Sequence, residues 1–308
     1  MALNKEIWTE DIIGNLFKNN QFAQRAINRD GDVLNGTVVH TAVAGVAADV
    51  KKNLTVFPQT ATVRSDADNT YALDALYSLP RRIPNLDKYE LSYDKRQSVV
   101  GEDTTNLIQQ AMDNLLWRWA PSQATQIIET TGTASSDDLI DSTATGTRKA
   151  FTKAELKKAA KQLDKKEFSG FNKVAVLTAA HYHQLFESLS DAEKTNFNNV
   201  ADLENGVIGR YMGIDIMMRS TVLRYRKVND VWTPIDELDD DFAAGATDCE
   251  ASLIFAENAV ERALGTVDVF DNPGQALYYG DVFSAMMYFG GRQRRPEGII
   301  AVVSGPNS

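Results

Sequence analysis

The side chains that could do chemistry are few in this sequence. Of its three histidines, His181 and His183 stand two apart, a spacing that lets two imidazoles share a metal ion when they sit on a strand. The residues around them, Ala179 to Ser188, have the pattern of a helix, where positions i and i+2 point to different faces. They are expected to be ordinary helix histidines. Asp66-Ala67-Asp68 lacks the glycine and the distal glutamate of a calcium loop and is expected to be a turn. Asp239 to Asp241 could hold a divalent ion loosely, but a solvated loop accounts for them. Cys249 is the single cysteine, so an intrachain disulfide and a CxxC pair are excluded. It has no basic or histidine neighbour in sequence to lower its pKa, and no catalytic thiolate is expected.

No Walker A, GxGxxG, GxSxG or HExxH pattern is present. Nothing assembles a nucleophile, a base and an oxyanion donor. The expectation is therefore no catalytic residue, no cofactor-binding residue, no cofactor and no metal ligand, and a protein that is not an enzyme. What remains is charge. Between residues 151 and 170 six lysines, Lys153 through Lys166, face Glu155, Asp164 and Glu167. Arg292, Arg294 and Arg295 form a second cluster. A solvated helix face is the ordinary explanation of the first. Either cluster could also meet phosphate, or pair with the acidic run Asp236, Glu237, Asp239, Asp240 and Asp241 of a neighbouring copy.

The whole chain sets the frame for these groups. Its 308 residues are 43% hydrophobic and 24% charged, with a net charge of −10. That composition is globular and excludes a disordered chain, a collagen-like repeat and a membrane bundle. The length suggests about two domains, or one large domain with excursions. The acidic balance argues against tight general nucleic-acid binding, which needs a positive field. The N-terminus has no signal pattern, and the longest apolar run, Ala42 to Ala48, is too short for a bilayer. A soluble cytoplasmic product is expected.

The elements follow from periodicity. Thr9 caps a short helix with Glu10 and Asp11 in its first turn and Ile12, Ile13, Leu16 and Phe17 on one face, ending at Asn19-Asn20. Such a helix cannot persist alone. The chain to Val50 is small and loosely patterned, an extended arm. From Lys51 to Val100 the pattern is that of strands, with Lys88 to Asp94 alternating, Leu54 to Arg64 extended, and turn chemistry at Ser65 to Asn69, Pro80 and Pro84. This ribbon holds too little apolar bulk for a core of its own. A long helix follows from Glu102 to Ala120, capped by Asp103 or Thr104, with Leu107, Ile108, Ala111, Met112, Leu115, Leu116 and Trp119 inward. Thr130 to Thr147 is loop. Thr152 to Glu155 is a capping box opening a helix with Leu156, Ala159, Ala160 and Leu163 inward. Val174 to Leu177 is a buried strand. Val207 to Ser220 forms two strands turning near Gly213, and Asn229 to Glu250 is an acidic loop. Ser252 to Ala256 is a strand and Glu257 to Leu264 a short helix. Val282 to Phe289 is a central strand and Ile299 to Val303 the last one.

Taken in order, these segments resemble the major capsid protein of tailed bacteriophages, the Hong Kong phage-type shell fold. Glu90 to Val100 resembles the return strand that leads into the family's long helix. Ile208 to Ile216 resembles the strand–Gly–strand of its axial domain. Ser252 to Ala256 with Ala259 to Ala263 resembles the strand and helix that follow, and Gly280 to Phe283 with Arg295 to Gly298 the closing strands of its peripheral domain. The resemblance implies an α+β fold with an N-terminal arm at 1–49 and an extended β-hairpin loop at 50–99. A peripheral domain with a long spine helix would take 100–150 and 266–308, and an axial domain 151–265.

The implied function is a major capsid protein that self-assembles through hexamers and pentamers into an icosahedral shell around phage double-stranded DNA. Its partners would be itself, scaffolding, portal and decoration proteins, and packaged DNA by weak non-specific contact, with no membrane. It would reside in the virion after assembly in the host cytoplasm. The arm begins at residue 1, which suggests a mature form or a separate scaffold. Lys88 and Lys95 lie in the extended loop, but no partner asparagine or carboxylate is identifiable, and crosslinking is not expected. Two other classes fit the residues: an encapsulin-like bacterial compartment with the same fold, and a stand-alone α+β enzyme. Because the first hundred residues look too poor in apolar bulk to fold on their own chain, deletion of residues 1–45 is expected to leave a folded subunit that assembles poorly.

Overall fold

Trp119 closes the long helix and is completely buried. Its ring meets Phe22 edge-on at 6.2 Å and Phe255 at 5.3 Å, so one side chain ties the N-terminal segment, the helix and a sheet strand together. Its indole N–H donates to the Glu261 carbonyl at 3.1 Å, which satisfies the one polar atom that burial would otherwise strand. Around it the computed structural model describes residues 9–10, 12–16, 20–43, 50, 52–53, 55, 63, 67–84, 95–136, 139–202 and 205–306.

The spine helix runs Lys95–Trp119 and buries Leu107, Ile108, Ala111, Met112, Leu115 and Leu116 along one stripe. It starts a full turn and more before the expected Glu102. Lys95 to Val100 contains no helix breaker, and extending an existing helix costs far less than nucleating one. Asp103 and Thr104 are therefore interior residues and not caps, and Lys95 to Val100 is helix where a return strand was expected. Pro121 follows the end, as expected.

Two sheets flank this helix. In one, the strand Lys173–Thr178 is buried at every position. It lies between Ile214–Arg219, which runs parallel to it, and Cys249–Ala256, which runs antiparallel. Cys249–Ala256 pairs onward with Ile299–Val303 and Leu223–Val228. Side chains alternate across such a sheet. Phe255 meets Trp119 on one face, whereas Ser252 meets His181 on the other. The spine helix thus covers one face and the helix Ala179–Ser188 the other, beside the capped helix Lys153–Lys165. The second sheet is dominated by a long hairpin, Val260–Gln275 against Gly280–Gln293. Its edges are Ile27–Asn28 on one side, and Asp74–Tyr77 with Arg81–Pro84 on the other. A small third sheet joins Val33–Leu34, Val38–Val43 and Ala67–Ala72.

Several expectations change here. Glu257 to Leu264 is not a helix, although Glu, Ala, Arg and Leu favour one. From Val260 onward the chain is strand, because Gly290 and Gly291 opposite leave room for close backbone approach; a Cβ at Gly291 would stand 2.3 Å from the Glu261 oxygen. Asn229 to Glu250 is not loop throughout. Val231–Ile235 returns along Leu223–Val228 through Asn229-Asp230, whose φ values of 51° and 63° are those of a tight hairpin turn. Ala67 to Asn69 belong to a strand and not to a turn. Ile12 and Leu16 are buried on the first helix while Ile13 is 43% exposed, as i,i+4 spacing dictates. The strands expected at Lys88 to Asp94 lie outside the described residues, as does nearly all of Leu54 to Arg64.

Candidate functional site

The histidine pair separates. His183 is exposed, whereas His181 is buried with a ring nitrogen 2.6 Å from each of Ser252 Oγ and Ser304 Oγ and its ring stacked on Phe151. Burial pushes its pKa down to about 3, so it is neutral. The grouping has the members of a nucleophile and base, but Ser252 is 0% and Ser304 2% exposed, and a hydroxyl sealed in the core meets no substrate. It is a satisfied polar knot joining a helix to two strands. Cys249 is buried, and its thiol is pushed up by that burial. Asp239 to Asp241 are exposed, with Asp241 N–H donating to Asp239 Oδ1 at 3.2 Å. Asp66 lies outside the described residues. Among the described residues no cluster of three histidine, cysteine, aspartate or glutamate side chains could hold a metal.

The arginine cluster also divides. Arg294 and Arg295 are exposed, but Arg292 turns inward. Its guanidinium binds Glu261, donates to Thr41 Oγ1 at 2.7 Å and lies 5.0 Å over the Tyr71 ring. Glu261 is fully buried and accepts a second arginine, Arg29, at 3.2 Å. Arg262 beside it donates to the Ala23 carbonyl at 2.9 Å, and Asp30 accepts from the Leu264 N–H at 2.7 Å. Arg25 pairs with Glu257 at 3.1 Å. With Phe22 under Trp119, these contacts clamp residues 20–34 to their own subunit. The expectation that the first hundred residues cannot fold on their own chain is therefore wrong for this stretch. A second knot was equally unforeseen: buried Arg224 binds Asp141 at 2.7 Å, Glu237 at 2.6 Å and Asp248 at 3.1 Å. The signal available in sequence was a charge set inside an apolar strand pattern, Glu261-Arg262 after Ala259-Val260 and Arg224 after Val222-Leu223.

Among the described residues two adjoining stretches expose large apolar side chains. The long hairpin ends in Leu277, Tyr278 and Tyr279, which are 86%, 51% and 79% exposed. The tip is built firmly: buried Asp281 accepts the Gly274 N–H at 2.9 Å, and Gly274 adopts a φ of +67° that favours glycine. The ribbon beside it exposes Tyr77 at 63% and Leu79 at 84%. Among the described residues, Val39 of the third sheet and Leu73 just after it pack against Ala263. Large apolar groups held out in water by a rigid frame mark contact surfaces for another protein. Ion pairs fix where this frame projects: Arg118 on the spine helix holds Asp74 at 2.7 Å, and Arg81 holds Asp103 at 3.2 Å.

Comparison with known proteins agrees with this geometry. A family model described as "Phage capsid protein" matches residues 17–266. None of the curated proteins compared matches the chain. Among solved structures, the capsid of Ralstonia phage GP4 is similar at a TM-score of 0.62 with 12% identity, covering 92% of this chain and 88% of that one. A Mycobacterium phage Che8 structure gives 0.58 with 18% identity, covering 91% and 90%. The virus-like particle from Pyrococcus furiosus gives 0.54 with 10% identity, covering 97% and 99%. At these identities the structures establish the fold, the Hong Kong phage-type capsid fold, and the family match favours a phage shell over an enzyme-carrying compartment. The chain belongs to the phage capsid protein family and is a major capsid protein.

Proposed function

We propose that copies of this chain associate head-to-tail into hexamers and pentamers, and that these close an icosahedral shell around phage double-stranded DNA. The observation that carries this reading is the rigid hairpin whose tip holds Leu277, Tyr278 and Tyr279 in water. Obligate assemblies cover such groups and bury thousands of Å² per contact. Heterologous contacts that close give rings. The division into an arm at 1–49, an extended loop at 50–99, a peripheral region at 100–150 and 266–308, and an axial region at 151–265 belongs to the same proposal. The long hairpin crosses that boundary, since it starts at Val260.

In this reading the protein performs no catalysis and works mechanically. A portal, a scaffold and decoration proteins are further partners, assembly takes place in the host cytoplasm, and DNA contact is weak and non-specific because the chain carries −10. Negative-stain microscopy and light scattering of the purified chain test the proposal. Rings and closed shells are expected; a compact monomer of 34.0 kDa at every concentration would refute it.

A further inference from the structure

The lysine-faced helix Lys153–Lys165 presents Lys157, Lys158, Lys161 and Lys165 to solvent, with Lys166 just past its end. Lys153 is spoken for by Glu193 at 2.7 Å. The other five make no ion pair among the described residues. The segment after Val231–Ile235 presents Asp239, Asp240 and Asp241 in the same uncompensated state, while Glu237, held by Arg224, anchors its beginning. Each patch also carries one exposed apolar side chain, Phe171 at 44% beyond the lysine helix and Leu238 at 37% within the acidic segment.

Among the described residues no ion pair joins one patch to the other within the subunit. The lysine helix belongs to the His181 side: Lys153 N–H donates to Ser188 Oγ at 3.1 Å, and Phe151 stacks on His181. The acidic segment starts at a cleft of about 610 Å³ that Asp236, Glu237 and Leu238 line together with Asp113 and Trp117 of the spine helix and Ala179 of the helix Ala179–Ser188. A second copy offers each patch a surface of the opposite charge. We propose that the exposed face of the Lys153–Lys165 helix docks the Asp239–Asp241 segment of the neighbouring copy within a ring.

The inference rests on the shell reading above and adds to it which surfaces meet. Phosphate would satisfy the same lysines, but it would leave the matching acidic segment and its exposed Leu238 without a partner, and the chain's net charge opposes it. At physiological salt, charges farther apart than about 8 Å are largely screened, so the contact should favour low ionic strength.

Two full-length variants test it, Lys157→Glu/Lys158→Glu/Lys161→Glu and Asp239→Lys/Asp240→Lys/Asp241→Lys, each checked by thermal melting for an intact subunit. Should a reversed set fail to fold, the corresponding Gln or Asn set carries the same measurement. Each alone should give at least tenfold fewer rings by light scattering and negative stain at low salt. Both sets in one chain should restore assembly to within about twofold. An equimolar mixture of the two variants should form rings of six by alternation but not rings of five, which cannot alternate. Unchanged assembly by both variants would overturn the proposal. So would failure of the combined chain to assemble, or loss of co-purifying nucleic acid without loss of rings in the lysine variant. If the unsubstituted chain forms no rings at all, the shell reading falls with it; normal shells from every variant defeat only this pairing.

Discussion

The strand Lys173–Thr178 and the far half of the long hairpin obey the same backbone rules and have opposite surroundings. All six residues of the first are buried, with a strand on each side and helices on both faces. The hairpin begins in the same way, with Val260, Glu261, Arg262 and Ala263 all buried, and ends with Leu277 and Tyr279 almost entirely in water. One region is complete within a single chain; the other leaves apolar side chains in water, where the proposed shell would cover them. The difference separates what one chain buries by itself from what the proposed shell would bury.

That separation can be broken by substitution. The largest effect should come from Phe22→Ala, which empties the space beside Trp119. Truncating a buried phenylalanine typically costs about 3 to 5 kcal/mol, so chemical denaturation of the subunit should show the midpoint fall sharply. A loss below about 1 kcal/mol would mean that residues 20–34 do not belong to the body. The same packing revises the truncation: deletion of residues 1–45 removes Ile12, Leu16, Phe22 and Val39 from the core and should destabilise the subunit itself, not assembly alone. Next in size is Glu261→Ala, which leaves Arg29 and Arg292 facing each other without their carboxylate. Losing one partner of a buried pair costs several kcal/mol; both arginines keep some water, and about 2 to 3 kcal/mol is expected by the same measurement. The Arg292 contacts to Thr41 and Tyr71 should loosen with it, seen as faster amide exchange in Val38–Val43.

Acid gives a smaller effect. His181 has a folded pKa of about 3 against an ordinary value of 6.5, so the unfolded chain takes up a proton that the folded chain refuses. Stability from this group is full above pH 6.5 and is lost as the pH falls toward 3, by up to about 1.4 kcal/mol for each pH unit. Between pH 7 and 5.5 the loss is roughly 1 kcal/mol. His181→Gln can still bond a serine and does not titrate in this range. Its stability should lack that slope, and an identical slope would remove His181 from the argument.

Much of the body was legible in the sequence because local and global preferences agree there. The spine helix buries the residues its spacing selects, Thr152 and Glu155 form the expected reciprocal cap, and Val174 to Leu177 is the buried strand that an unbroken apolar run implies. The failures arise where a partner distant in sequence decides. Val260 to Leu264 has helical propensity and becomes strand because Gly290-Gly291, some thirty residues on, accepts it edge to edge. Residues 20–34 carry apolar side chains at no regular spacing, yet Phe22 packs on Trp119, and Arg25, Arg29 and Asp30 add ion pairs and hydrogen bonds that no periodicity announces. The exposed apolar side chains of the hairpin tip were not singled out from the sequence, and their location required the fold.

The smallest expected change in folding is also the sharpest test of the comparison. Leu277→Ser with Tyr279→Ser alters two side chains that touch little of their own subunit, and surface changes of this kind usually shift stability by less than about 0.5 kcal/mol. Asp281 and Gly274 hold the backbone of the tip, so its shape should survive. In a shell, however, burying each of these side chains contributes about 1.5 to 3 kcal/mol, repeated at every copy. Subunits that melt normally but assemble at least tenfold less would place the tip in the assembly class. A fall in melting temperature matching that of Phe22→Ala would show that the tip is part of the body after all, and the boundary between folding and assembly would then lie outside this chain's hairpin.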